Sequence, residues 1–196
     1  MFAGAAIDKL QIDVNGDFHE FKFSGYAADV VDSSSFTAGQ AGLQQFPSEP
    51  ASVGFDYSLI PGHLGQAWIG STPGQVFTLA SARLSFSNNT DLRAREFGYL
   101  LPRAIVPGER NVDVEFSVYA QDDDQCKALY QAARQQSPVS VMFQLGQQSG
   151  QLCGIYLNSV MAQVPEFDDS ETRLIWKFRK CRAQGSGDDE IAIAFA

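Results

Sequence analysis

Chemistry in this chain would have to come from few residues. His19 and His63 are its two histidines. Metal binding needs several ligands converging, and neither histidine sits in an H-x-x-x-H pattern or beside a suitably spaced cysteine. His19 falls in an expected hairpin and reads as structural. Asp122, Asp123 and Asp124 suggest calcium, but the glycine and distal glutamate of a calcium loop are missing, and capping of a helix explains the run more simply. Glu166, Asp168 and Asp169 would suit a carboxylate pair for glycoside hydrolysis. A solvated loop between two strands is the simpler reading. Serine catalysis needs a strained elbow, and no G-x-S-x-G occurs. "PGHLGQAWIG" has glycines but no lysine and no G-x-G-x-x-G register, so it makes no phosphate cradle. No catalytic, cofactor or metal residues emerge, and the protein is not expected to be an enzyme.

Composition narrows the class. The 196 residues suffice for one domain with a sizeable core, or one domain plus a fragment. Apolar residues make up 44%, with 15 phenylalanines, which excludes a disordered chain. The charged fraction is only 19%, as expected where large polar areas or buried interfaces exist. A net charge of −9 repels phosphate and argues against stable nucleic-acid binding. Cys126, Cys153 and Cys181 form no C-x-x-C pair, and an odd count gives no disulfide framework. Free, mostly buried thiols in a reducing compartment are expected. "MFAGAAIDKL" lacks the apolar run of a signal peptide, and no later segment approaches a membrane span. The chain is expected to be made soluble in the cytosol, with no membrane partner.

The elements are mostly strands. Leu10, Ile12 and Val14 alternate with Gln11 and Asp13. After Asn15-Gly16, Phe21 and Phe23 alternate with Glu20 and Lys22. Asn-Gly offers the positive φ angles of a tight turn, so a β-hairpin is expected here. From Asp32 to Gln75 the chain is Ser-, Gly- and Pro-rich, and "FDYSLI" is its one expected strand. Val76–Phe86 reads as a strand with Val76, Thr78, Ala80, Ala82, Leu84 and Phe86 on one face. In "VDVEFSV", Val112, Val114, Phe116 and Val118 alternate with Asp113, Glu115 and Ser117. "DDDQCKALYQAARQQ" predicts one helix, capped by an aspartate, with Cys126, Leu129, Tyr130 and Ala133 on one face and ended by Pro138. "VSVMFQL", "LCGIYLNSV", "RLIWKFRK" and "EIAIAFA" complete the strands.

Two features concern organisation. The first hairpin can be laid on the segment from Val141 to Val164, so that Gly16 meets Gly150, Phe21 meets Ile155 and Phe23 meets Leu157. Residues 1–70 are then either a hairpin plus extended segment ending an incomplete first domain, or simply a second hairpin alike by chance. Residues 71–196 form the main domain. The other feature is Asn88–Arg110, a loop with no sustained period that carries Arg93, Arg95, Arg103 and Arg110 among apolar Phe97, Tyr99, Leu100, Leu101, Ile105 and Val106. A loop this long is usually functional, and one this apolar is costly in water unless it buries something. It reads as a contact patch for acidic surface, such as that of a copy of the same protein; the simpler alternative is surface arginines satisfied within their own domain.

That pattern resembles a known family. Asn88-Asn89, Asp91, "REFG", "PRAIVPGER", an alternating strand, an acidic run and a short helix look like tail tube proteins of long-tailed bacteriophages. "HEFKFSGYAADVVDSSSF" and "DYSLIPGHLGQAWIG" resemble segments of the two-domain tail tube type. The resemblance implies a mainly β fold: a β-sandwich or split barrel of two antiparallel sheets, one flanking helix and long loops. It implies a virion protein that partners itself in hexameric or pseudo-hexameric rings, stacked into a tube for DNA ejection, together with tail tip and completion proteins. DNA would be met only in transit. Arg93, Arg95, Phe97, Tyr99, Leu101, Arg103, Ile105 and Arg110 would form the contact between rings, and Asp113, Glu115 and Ser117 would face the lumen. No cofactor is implied. The competing reading is a binding sandwich or a tail terminal or baseplate adaptor, with Trp68 and Trp176 as stacking platforms. Trp176, in phase with Leu174 and Phe178, reads as core.

Overall fold

The computed structural model describes residues 1–49, 60–70, 74–75, 78–170 and 172–196. Among them the strands are β1 (Phe2–Ala3), β2 (Ala6–Asn15), β3 (Glu20–Tyr26), β4 (Asp29–Val30), β5 (Gln66–Gly70), β6 (Gly74–Gln75), β7 (Leu79–Ser87), β8 (Asp91–Arg93), β9 (Ala104–Val106), β10 (Asn111–Tyr119), β11 (Pro138–Leu145), β12 (Cys153–Met161), β13 (Glu166–Asp168), β14 (Ile175–Ala183) and β15 (Ala192–Phe195). The helix α1 spans Asp124–Gln135. The expected mainly β, sandwich-like fold with antiparallel sheets and one helix is the one that forms. The strand expected at "FDYSLI" lies outside the described residues except for Ile60, as does Val76 of the next expected strand.

The chain divides into two compact units. One comprises Met1–Leu10, Phe23–Ser58 and Ser87–Arg110; the other comprises Gln11–Lys22, Leu59–Phe86 and Asn111–Ala196. The larger unit holds most of the core. In β10, Val112, Val114, Phe116 and Val118 are buried while the residues between them are half-exposed, the period-two pattern that a half-buried strand requires. Phe116 stacks on Phe178 of β14 with ring centroids 4.7 Å apart. Val139, Val141, Phe143 and Leu145 of β11 and Cys153, Ile155, Leu157 and Val160 of β12 are buried too.

Bulges keep these faces apolar. The pairing of β10 with β14 shifts between Val114↔Cys181 and Phe116↔Phe178, and Lys180 there takes a positive φ of 54°. The extra residue puts Phe178 and Cys181 on the same buried face although they are three apart. A second shift, between Val139↔Val160 and Val141↔Leu157, does the same for Leu157 and Val160. The alternation expected to bury Leu174, Trp176 and Phe178 of "RLIWKFRK" together fails: of the three only Phe178 is fully buried, and Ile175 on the other phase is buried with it. Trp176 is half-buried beneath Tyr130 and Phe167, at 5.4 and 6.0 Å, and Leu174 is exposed.

The first hairpin forms without the tight Asn-Gly turn. Gly16 has no positive φ; four residues separate β2 from β3, and Asn15 Oδ1 accepts from the backbone N–H groups of Asp17 (2.9 Å) and Phe18 (3.1 Å). The cause is the segment at Pro61–Gly62. Gly62 N donates to Asp17 O at 2.7 Å, and it lies so near that a Cβ there would meet Asn15 O at 2.0 Å. A wider loop makes room for that approach. β3 is exposed at all seven positions, so Phe21 and Phe23 do not face a core as their alternation suggests. It ends the order β3-β2-β7-β10-β14-β12-β11-β5-β6, and an outermost strand has a neighbour on one side only. Ile155 and Leu157, the matches of Phe21 and Phe23 in the suggested repeat, are by contrast fully buried.

In the smaller unit β1 pairs antiparallel with β4, matching Phe2 with Val30, and Met1 N donates to Val31 O at 2.8 Å. Val31 is buried, and Phe36 meets Phe46 edge-on at 5.8 Å. Gly25 is obligatory where β3 crosses β2, since a Cβ would fall 2.1 Å from Ala6 O.

Helix α1 forms as its sequence predicts. Asp123 is the N-cap, accepting from Cys126 N at 2.6 Å, and Cys126, Leu129, Ala132 and Ala133 are buried. The helix stops at Gln136, a left-handed residue with φ 51°. Two substitutions check this account by thermal melting. Asp123→Ala should cost about 1 kcal/mol through the lost cap. Gln136→Gly should gain up to about 1 kcal/mol, because a left-handed L-residue costs roughly 1–2 kcal/mol and glycine's unfolded-state entropy returns only part of it.

Candidate functional site

Asn88–Arg110 contains more order than its lack of period suggests. β8 pairs with β9 through Asp91↔Val106, Leu92↔Ile105 and Arg93↔Ala104. Its base is fastened by polar contacts within the smaller unit. Asn88 donates through its backbone to Asp8 O (2.8 Å) and through Nδ2 to Ile7 O (3.1 Å). Asn89 Nδ2 donates to Glu109 O (2.7 Å), and Gly108 N donates to Asn88 O (3.0 Å). Gly108 cannot carry a side chain, since a Cβ would lie 2.4 Å from Asn89 O. Asp8, a buried carboxylate, accepts from Thr90 N (2.7 Å) and Thr90 Oγ1 (2.9 Å). Those bonds hold its carboxyl below the ordinary range, the backbone N–H contributing most.

Beyond this base the tip is bare. Phe97 and Leu100 are fully exposed, at 104% and 100%, and Tyr99 and Leu101 are about half so. Arg95 and Gly98 take positive φ angles of 62° and 89°, which turn the tip without regular structure. Arg103 donates to Glu96 (3.4 Å) and lies over the Tyr99 ring at 5.4 Å. Arg93 and Arg95 are exposed, whereas Ile105, Val106 and Arg110 are half-buried. The eight residues expected to form a contact are thus split: Phe97, Tyr99, Leu101 and the three arginines Arg93, Arg95 and Arg103 are presented outward, and Ile105 and Arg110 belong to the base.

The larger unit presents a polar sheet face. Asp113, Glu115 and Ser117 of β10 alternate with the buried residues and lie on the side away from the core. Their neighbours are basic. Asp113 pairs in register with Arg182 and Ser117 with Lys177 of β14. Lys177 in turn donates to Asp168 of β13, and Arg179 lies 3.5 Å from Glu166. On the other flank, Arg83 of β7 donates to Asp13 of β2 at 2.6 Å, and Lys22 of β3 bridges Asp13 (3.2 Å) and Glu20 (2.9 Å). From β13 to β3 the strands carry acid, base, acid, base, acid and then a mixed pair. Burial works against the charge of Asp13, but hydrogen bonds from Arg83, Gln11 and Lys22 outweigh it and hold the carboxyl below its usual range. A depression of about 660 Å³ lies over this face, lined by Asp13, Glu20 and Glu115 and by Lys22, Arg83, Lys177 and Arg179.

The charges considered for catalysis are absorbed elsewhere. Glu166 and Asp168 are the partners of Arg179 and Lys177, and Asp169 is exposed. Asp122 pairs with Lys127. Among the described residues no group of three His, Cys, Asp or Glu is arranged to hold a metal ion. His19 is half-buried, and burial lowers its pKa, so the ring is neutral at pH 7. Cys126, Cys153 and Cys181 are free and buried; burial pushes the Cys181 thiol up to about 11. The alternation of charge from strand to strand had no signal in the sequence, because it exists only once the register is set. Asp8 and Thr90, 82 positions apart, were missed for the same reason.

The fold is similar to a chain in the cryo-EM structure of the anti-feeding prophage (AFP) baseplate, 6-fold symmetrised. The TM-score is 0.52 at 10% identity, over 76% of this chain and 98% of that one. No protein-family model and no curated protein matches the sequence.

The Asp8 anchor has a defined pH dependence. A carboxyl depressed in the fold stabilises above its ordinary value of 3.8 and loses that contribution as pH falls through the lower folded value. Hydrogen exchange should find Thr90 N–H protected at pH 6 and progressively less so on acidification below about 4. In Asp8→Asn the protection should be reduced at every pH; unchanged protection there would contradict the assignment.

Proposed function

We propose that this protein is a structural subunit of a phage tail or phage-tail-like particle, assembling with copies of itself and with other tail proteins. The observation that carries the reading is the likeness of fold to a chain of the AFP baseplate over nearly all of that chain. The bare tip supports it independently. Phe97 and Leu100 bury nothing within the subunit, and side chains of that size gain roughly 1.5–3 kcal/mol each when a neighbour covers them. The finer reading is a tail tube ring, in which the outward residues from Arg93 to Arg103 meet the next ring. The baseplate identity of the structural neighbour favours one alternative, an adaptor that closes a single ring instead of a stack.

In the ring reading the polar face, with Asp113, Glu115 and Ser117, lines the channel through which DNA passes. Each acid on it stands beside a base, so the wall is compensated more than repulsive. Lys22, Arg83, Lys177 and Arg179 are held by carboxylates and offer phosphate little, while exposed pairs of this kind add only about 0–1 kcal/mol each to stability. Holding the cations is their contribution in this proposal.

Two experiments test these points. Sedimentation across a concentration series should show self-association in the natural sequence and a monomer in Phe97→Ser/Leu100→Ser, with melting unchanged within about 0.5 kcal/mol because both sites are exposed. A natural sequence that stays monomeric throughout would contradict the assembly reading. Fluorescence anisotropy with a short DNA duplex should show no binding by the natural protein at low salt. Asp13→Asn/Glu115→Gln uncovers Arg83 and should bind, with affinity falling as salt rises. Steep, salt-dependent binding by the natural protein would contradict the compensated wall.

A further inference from the structure

Strands β5, β11 and β12 share an outer face without charge. Its central row runs in register across three strands: Trp68 of β5 opposite Met142 of β11, and Met142 opposite Tyr156 of β12. The next row is Gln66, Gln144 and Gly154. Ala192 and Ala194 of β15 extend the two rows. No charged residue stands in either row. Trp68 and Met142 are half-buried and Tyr156 is 41% exposed, and with Ser140 they line an open depression of about 200 Å³. The Tyr156 hydroxyl lies 3.1 Å from Asn158 Oδ1, which fixes the ring's orientation.

We infer that this row is a binding platform for a neutral oligosaccharide. Two aromatic rings lie two strands apart, roughly 10 Å at the usual strand spacing. A short chain of linked sugar rings covers that span. Sugar rings present apolar C–H faces, which stack on aromatic side chains, and hydroxyl rims, which need neutral hydrogen-bonding groups beside the stack. Gln66, Gln144, Ser140 and Asn158 flank the aromatic row on both sides; Ser140 Oγ donates to Gly70 O (3.1 Å) and Gln144 Nε2 to Gly146 O (3.2 Å), which leaves the Ser140 and Gln144 oxygens, the Asn158 amide nitrogen and Gln66 for a ligand. A highly charged ligand finds no counter-charge here. It stands apart from the tail reading, because it concerns other strands than the polar face and the loop and is tested on the free subunit.

The test is a titration of the purified protein with maltohexaose, cellohexaose and chitohexaose, read by tryptophan fluorescence and by NMR of the backbone amides. At least one sugar should perturb the amides around Trp68, Met142 and Tyr156 while leaving those around Trp176 unmoved. Tyr156→Ala, at an exposed position, should weaken that binding at least tenfold with an unchanged circular dichroism spectrum. Trp68→Phe, which keeps an aromatic ring, should weaken it less. Absence of any shift with all three sugars at millimolar concentration would overturn the inference. So would a sedimentation change in Tyr156→Ala without sugar binding, since that result assigns the face to a protein contact.

Discussion

Phe116 and Phe178, stacked at 4.7 Å and each almost fully buried, join β10 to β14. Most of the larger unit's architecture depends on that pair. Once Phe116 points into the core, period two sends Val112, Val114 and Val118 with it and turns Asp113, Glu115 and Ser117 outward. Once Phe178 meets Phe116, the bulge at Lys180 becomes necessary, because Cys181 must also face inward. The bulge then sets where Lys177, Arg179 and Arg182 emerge. A core contact between two aromatic rings thus determines the register of charges on the opposite side of the sheet.

That coupling explains why so acidic a chain can present a balanced face. The net charge of −9 describes the whole sequence and not any one surface. On the polar face, cross-strand pairing places Arg83 against Asp13 and the β14 cations between Glu166, Asp168 and the β10 acids. Opposite charges on adjacent strands stabilise the pairing modestly, and like charges would oppose it. The loop obeys a different logic. Its base is fixed by buried or short polar contacts at Asp8, Asn88, Asn89 and Gly108, and its tip is left apolar and bare. A firm base with an uncovered tip suits a contact that forms only between molecules.

Much of the fold was legible in local pattern. β10 and α1 show clear periods, β11, β12 and β15 form where strand-like runs stand, and the Asp123 cap follows from chemistry within one turn. What stayed hidden depends on distant partners. The Asn15-Gly16 sequence favours a tight turn, but Gly62 presses against it and a longer loop results. β3 alternates like a half-buried strand yet lies at the end of the sheet order. β8 and β9 are three residues each, too short to show a period, and Asp8 fixes them from far along the chain. For the candidate surfaces, the apolar tip was readable from composition, and the face of Asp113 and Glu115 from alternation. Their basic neighbours, and the Trp68–Met142–Tyr156 row, were not, since both are products of register.

The proposed role is assembly, with the loop tip between molecules and the polar sheet face toward a channel. A cryo-EM reconstruction of particles formed at high concentration tests it most directly. The account predicts rings, single or stacked, in which Phe97 and Leu100 are covered by a neighbouring subunit and Glu115 and Lys177 line the central opening. Rings with Phe97 and Leu100 still in solvent, or with the face of Glu115 and Lys177 on the outer wall, would contradict it.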